Sequence, residues 1–220
     1  MLIGLNGKLK SGKDTTFQML HDFRKERDLS PLPERISFAD KLKDSAAAVL
    51  GIDRHTLDEW KNNEDIYYAP RQDFPKGRNF FDDIAIADDI SRRYKFTVRE
   101  FLQRYGTEGH RDIFGDDFWV DMALPKDLDH SHRLLVVTDM RFPNEARRVK
   151  ELEGITVKVV REVETDHGNH PSEQNIDDLI DLFLDNTGTL DDLRVNVEKL
   201  HGMIYSPFVW QPPTRLEVVR

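Results

Sequence analysis

The chain has 220 residues, a formal net charge of −9 at pH 7, 33% charged residues and no cysteine. The missing cysteine excludes disulfides and thiolate metal sites and is compatible with a reducing cytosol. The acidic balance argues against a whole-chain nucleic-acid binder, which would be basic. No apolar run approaches the roughly 20 residues that span a bilayer. The N-terminus has no charged region ahead of a long apolar stretch, so it reads as the first strand of a fold and not as a signal peptide.

Leu2-Ile3-Gly4-Leu5 is a short apolar run closed by Asn6-Gly7, the pattern of a buried parallel strand. The spacing predicts a helix from Lys13 to about Glu26, a strand over Arg35–Phe38 and a helix from Ala39 to Leu50 ended by Gly51. Residues 52–125 are rich in aromatic and charged residues and read as an inserted, mostly helical lobe. Within it, helices are expected over Val98–Tyr105, with Thr97 as N-cap, and over Trp119–Leu124. Leu134–Thr138 is the strongest strand and ends in Asp139. A helix over Pro143–Leu152, a strand over Ile155–Val160, a strand over Leu182–Leu184 and a helix over Leu190–Leu200 capped by Thr189 follow. The tail after Pro207 carries no structural assignment. Five strand-then-helix alternations predict a parallel sheet with helices on both faces and ligands beyond its carboxyl edge.

The segment Gly7-Lys8-Leu9-Lys10-Ser11-Gly12-Lys13-Asp14 matches G-x-x-x-x-G-K, after a strand and before a helix. Glycines let the backbone curl so that successive N–H groups face anionic oxygens, and the following helix presents its positive end to them. Gly7, Lys10, Ser11, Gly12, Lys13, Asp14, Thr15 and Thr16 are therefore the expected phosphate-binding residues of a nucleoside triphosphate site. Lys13 supplies a mobile charge for the transferring phosphoryl group. Asp14 occupies the position where Ser or Thr usually ligates Mg²⁺. Three readings stay open: Thr15 supplies the hydroxyl, Asp14 meets the metal through water, or Asp14 only favours the helix start.

Ser11-Gly12-Lys13-Asp14-Thr15-Thr16, Phe38-Ala39-Asp40-Lys41-Leu42-Lys43, Phe101-Leu102-Gln103-Arg104-Tyr105-Gly106-Thr107-Glu108 and Thr138-Asp139-Met140-Arg141-Phe142-Pro143-Asn144-Glu145 occur in this order. Together they resemble the deoxynucleoside monophosphate kinases of tailed bacteriophages, from the first strand to about Leu200. The resemblance implies an α/β P-loop kinase fold: a parallel five-stranded sheet flanked by helices, with an inserted helical substrate lobe and a lid. It implies one kinase domain over 1–220, with the lobe at 52–125 and the lid at 161–175. The implied reaction moves the ATP γ-phosphoryl group to a deoxynucleoside monophosphate, with Mg²⁺.

In that setting Asp139 either holds magnesium or its water shell, or caps a helix. Arg141 grips phosphate or pairs with Glu145. Gln103, Arg104 and Arg111 are expected on the acceptor, against the alternative of a solvated helix face. Phe38 is a base platform or a core residue, Asp40 an acceptor contact or an N-cap, and Lys43 a phosphate contact or a solvated lysine. Arg161 is the expected lid arginine, and with Lys13 and Arg141 completes the catalytic set. The resemblance suggests that the Asn186–Thr189 backbone, including Gly188, touches adenine; the turn also serves to cap the last helix. Asp166, His167 and His170 are too few to suggest zinc.

The phosphate loop alone also fits a phosphomevalonate-type kinase or a regulatory nucleotide-binding module. Tyr67, Tyr68, Phe80, Phe81 and Trp119 weigh weakly toward a base-bearing acceptor. No nucleic acid and no membrane are expected as partners, a homodimer is left open, and the expected location is the cytoplasm, that of a host cell for a viral protein.

Overall fold

The structure, a computed structural model, describes residues 1–62, 67–68, 96–161, 176–205 and 217–219. In chain order the elements are β1 (Leu2–Asn6), α1 (Lys13–Glu26), β2 (Pro33–Ile36), α2 (Phe38–Leu50), α3 (Arg54–Trp60), β3 (Tyr67–Tyr68), β4 (Phe96–Thr97) and α4 (Val98–Gly106). A π-turn (Thr107–Arg111) runs into the single turn α5 (Asp112–Phe114). Then come α6 (Phe118–Ala123), β5 (Leu134–Met140), α7 (Pro143–Glu151), β6 (Ile155–Val160), a 3-10 turn (Asp177–Leu179), β7 (Leu182–Asp185), α8 (Leu190–Ile204) and β8 (Glu217–Val219). The chain divides into two compact units, one of residues 1–41 with 117–220 and one of residues 42–116.

The first unit is an all-parallel sheet in the order β2-β5-β1-β6-β7-β8. All five expected strands occur, but the second lies at Pro33–Ile36 and not Arg35–Phe38, because Asp139 takes the Phe38 N–H and Phe38 opens α2; the three-residue β8 in the tail adds a sixth. β1 is buried along its whole length, as a strand covered on both faces must be. Alternation divides the strand residues between two cores. Ile3, Leu5, Leu134, Val136, Val157 and Leu184 face Leu20 of α1 and Leu193, Val197 and Leu200 of α8. Leu2, Leu135 and Val137 pack instead with Val120 of α6 and Ala146 and Val149 of α7. The connections from β1 and from β5 leave in opposite directions across the sheet, so the order reverses at β1. The crevice beyond its carboxyl end is where an open parallel sheet binds ligands.

Local chemistry sets the ends of the helices. Thr189 and Asp192 form a capping box at α8, which runs four residues past the expected Leu200. Pro143 occupies the first position of α7. β5 extends through Met140, so Asp139 lies inside the strand and not beyond its end.

In the second unit, α4 opens on the expected Thr97 cap, closed into a box by Glu100. Asp53 caps α3 through Thr56. Ala46, Ala47, Leu57, Val98 and Leu102 form its small core. Gly106 is pressed against Leu42, where a Cβ would come within 3.2 Å of a methyl group.

Candidate active site

The loop between β1 and α1 is held open by backbone shape. Gly12, the residue before α1, has φ +101°, and an added Cβ would lie 2.4 Å from the Asn186 amide nitrogen. Gly7 has φ +147°, and its Cβ would fall 2.5 Å from Ser11 Oγ and 2.6 Å from the Val159 carbonyl. Lys10 turns left-handed at φ 62° without being glycine, a conformation that costs of order 1 kcal/mol and tends to be kept where function needs it.

No side chain caps α1. The first helical hydrogen bond runs from Thr16 N–H to the Gly12 carbonyl at 2.8 Å. The N–H groups of Asp14 and Thr15 precede that bond and so lack an i−4 helical carbonyl, an arrangement suited to an anion. Lys13 Nζ folds back over the loop and donates to the carbonyls of Gly7 at 2.6 Å and Lys8 at 2.9 Å. Ser11 is buried, and its hydroxyl has no hydrogen-bond partner among the described residues. Thr16 is buried too, its hydroxyl turned back on the Gly12 carbonyl at 2.9 Å. Thr15 is half-buried and Asp14 exposed.

Asn186 closes the loop from the other side. Its amide donates to the Ser11 carbonyl at 2.7 Å, and its N–H donates to the Val160 carbonyl at 2.8 Å, so the turn after β7 is tied to the phosphate loop and to β6. Gly188 in the same turn lies against Asp192, which a Cβ would approach to 2.6 Å.

Asp139 is engaged. Its carboxylate accepts from Ser37 Oγ at 2.7 Å, Phe38 N–H at 2.9 Å and Ala39 N–H at 3.0 Å. It thus caps α2, a helix about 100 residues earlier in the chain, and fixes the β2–α2 corner. Phe38 is 3% exposed and packs in the core with Leu135 and Val137, which fits the core alternative for that ring. Asp40 lies in the first turn of α2, not at its cap, and accepts from Arg35 Nη1 at 3.3 Å. Arg141 is exposed at the end of β5, and its N–H, with that of Phe142, donates to Glu145 Oε2 at 2.6 and 2.9 Å. Arg161 is exposed directly after β6. The remainder of the expected lid, 162–175, lies outside the described residues, as do Phe80, Phe81 and the side chains of Tyr67 and Tyr68.

In the second unit, Lys43 is not a free surface lysine. Its Nζ lies 2.6 Å from Asp58 Oδ1, and Arg54 Nε lies 2.9 Å from the other oxygen. Partial burial opposes the charge on Asp58, but hydrogen bonds from Lys43 and Arg54 outweigh it and hold the carboxyl below its ordinary range. Gln103 and Arg104 are exposed on α4 and Arg111 is half-buried at the end of the π-turn, a rare helical form frequent at functional sites.

A model of the deoxynucleotide monophosphate kinase family matches residues 59–197. The chain belongs to the deoxynucleotide monophosphate kinase family. The enzyme phosphorylates deoxynucleoside monophosphates, using a nucleotide as phosphate donor. It is 26% identical over 215 residues to the deoxynucleoside-5'-monophosphate kinase of Escherichia phage T5, a match covering 80% of this chain and 85% of that one. A protein of Acanthamoeba polyphaga mimivirus, named provisionally as a deoxynucleotide monophosphate kinase, is 28% identical over 208 residues, covering 87% and 91%. These matches do not favour the phosphomevalonate-type or regulatory alternatives. The phosphate loop lies ahead of the stretch matched by the family model, so its geometry is a separate observation.

Among the described residues there is no group of three or more His, Asp or Glu that could hold a metal by itself, and no helix long and apolar enough to cross a membrane. Two further residues lie near the loop. Asn6 donates to the Met140 carbonyl at 3.0 Å, joining the ends of β1 and β5. Arg35 lies between Asp14 and Asp40. Neither belongs to a motif, and only the strand pairing brings them into view.

Proposed function

We propose that the phosphate donor is ATP carried with Mg²⁺, and that its phosphates occupy residues 7–16. The observation that carries this reading is the uncapped first turn of α1 facing the loop that Lys13 Nζ spans. Its N–H groups, together with the unpartnered Ser11 hydroxyl, form a donor set suited to a polyanion. Lys13 exchanges the Gly7 and Lys8 carbonyls for phosphate oxygens and follows the γ-phosphoryl group. Asn186 and Gly188 shape the adenine side of the site. Bound magnesium supplies charge neutralisation on the phosphates; Thr15 and Asp14 are the nearest side chains in sequence to hold it. Asp139 contributes by fixing the β2–α2 corner, and its carboxylate would be a further group to hold the magnesium or its water shell.

Arg161 and Arg141 are proposed to neutralise charge building on the transferred group. Gln103, Arg104, Arg111 and Asp40 are proposed to bind the acceptor monophosphate. Lys43 orders residues 42–116 through Asp58. The whole chain acts as one kinase domain, with a lobe at 52–125 and a lid at 161–175 that excludes water from the reaction. Rate comes from positioning and electrostatics, without a covalent protein intermediate. The enzyme works in the cytoplasm on small molecules, without nucleic acid or membrane, and its acidic charge supports that reading.

A coupled assay for ADP release tests the proposal, with ATP and each deoxynucleoside monophosphate in turn, with and without Mg²⁺. Acceptor-dependent, Mg²⁺-dependent release supports it. Release that ignores the acceptor, or that continues in excess chelator, refutes the corresponding part.

A further inference from the structure

An acid, Asp14, stands after the loop lysine where a neutral hydroxyl is common. It lies in the first turn of α1, beside the N–H groups proposed above for the triphosphate. Its charge has the same sign as that ligand. A cation stands against it: Arg35 Nε is 3.9 Å from Asp14 Oδ1, and Nη1 of the same guanidinium donates to Asp40 Oδ2 at 3.3 Å. Arg35 leaves a fixed backbone. It is paired in register with Val136 of β5, and the corner after it is pinned by the three hydrogen bonds to Asp139. One guanidinium thus reaches the first turns of α1 and α2 together.

We propose that Arg35 is a positioning residue for the donor site: it neutralises Asp14 and ties it to Asp40, so that a carboxylate after the loop lysine does not repel the incoming nucleotide. The inference rests on the reading of residues 7–16 as the phosphate site. Arg35 is held to act on the donor through Asp14, not by touching the acceptor.

The test is equilibrium binding of ADP in excess chelator and low salt, where no metal masks the carboxylate. Wild type, Arg35→Gln, Arg35→Lys, Asp14→Asn and the Arg35→Gln/Asp14→Asn double variant are compared. Because the pair is partly exposed, Arg35→Gln weakens binding by about two- to fivefold. Added salt shrinks the difference. Arg35→Lys restores most of the affinity, and in the Asp14→Asn background the Arg35→Gln effect disappears. In turnover, the donor KM rises.

Unchanged ADP affinity in Arg35→Gln overturns the inference. So does a loss that persists undiminished with Asp14→Asn, or a change confined to the acceptor KM. If wild type itself binds no ADP, the reading of the loop falls and takes the inference with it. If wild type binds and Arg35→Gln binds equally well, the inference alone falls.

Discussion

Gly12→Ala places a side chain where the loop has none. The residue sits at φ +101°, and the new methyl would lie 2.4 Å from Asn186 Nδ2, whose hydrogen bond to the Ser11 carbonyl is buried. Left-handed backbone costs an L-residue about 1–2 kcal/mol. Displacing Asn186 strands a buried donor and acceptor, which costs about 1–3 kcal/mol more. The sum is about 2–5 kcal/mol, which for a chain of this size lowers Tm by roughly 4–20 °C. Thermal unfolding followed by circular dichroism reads the loss, with Asn186→Ala and the double variant alongside. The steric part is shared between the two sites, so the double variant loses less than the sum of the singles. A Gly12→Ala cost below about 0.5 kcal/mol, or strict additivity within about 0.5 kcal/mol, would refute the argument that this glycine is required by contact with Asn186.

Three further outcomes follow from the geometry. Asp139→Ala removes the acceptor for Ser37 Oγ and for two N–H groups at the start of α2, and lowers stability by about 2–3 kcal/mol in urea denaturation without nucleotide; an unchanged midpoint would contradict the cap. Arg148, 3% exposed, donates to the Leu124 carbonyl at 2.6 Å and pairs with Asp121 and Glu151. Arg148→Met leaves that carbonyl without its donor and costs about 1–3 kcal/mol by the same measurement. His201 Nε2 must accept from Arg24 Nη1 at 2.7 Å, since a guanidinium cannot accept, and burial followed by the charges of Arg24 and Arg27 holds the imidazole below its ordinary value. The unfolded chain then binds the extra proton more readily. The stability contributed by neutral His201 is full above the unfolded value of about 6.5 and is lost as pH falls below it toward the folded value. His201→Gln flattens that slope in a series of melts; an unaltered slope would show that another group causes it.

Much of the fold is legible in the sequence because the parallel strands are continuous apolar runs and several helices carry their own start signals. Thr97 with Glu100, Thr189 with Asp192, and Pro143 are local chemistry that survives in the folded protein. The phosphate loop is legible for the same reason: its glycines and lysine are adjacent. What the sequence hides is pairing across long separations. The partners of Asp139 lie about 100 residues earlier, at Ser37, Phe38 and Ala39, and the contact of Asn186 with Ser11 spans 175 residues. Lys43 reads as a solvated helix lysine until α3 brings Asp58 beside it. Arg35 carries no pattern at all; strand order alone sets it between two carboxylates. The π-turn at Thr107–Arg111 is equally silent, since its extra residue leaves no signature in composition.

The most direct measurement is transfer of labelled γ-phosphate from ATP to each deoxynucleoside monophosphate in the presence of Mg²⁺, with products separated by chromatography, for wild type and Lys13→Ala. The label is expected in the deoxynucleoside diphosphate, and removing the lysine that spans the loop is expected to slow its appearance by at least about a hundredfold. Label released only as inorganic phosphate, or diphosphate formed as fast without Lys13 as with it, would contradict the account.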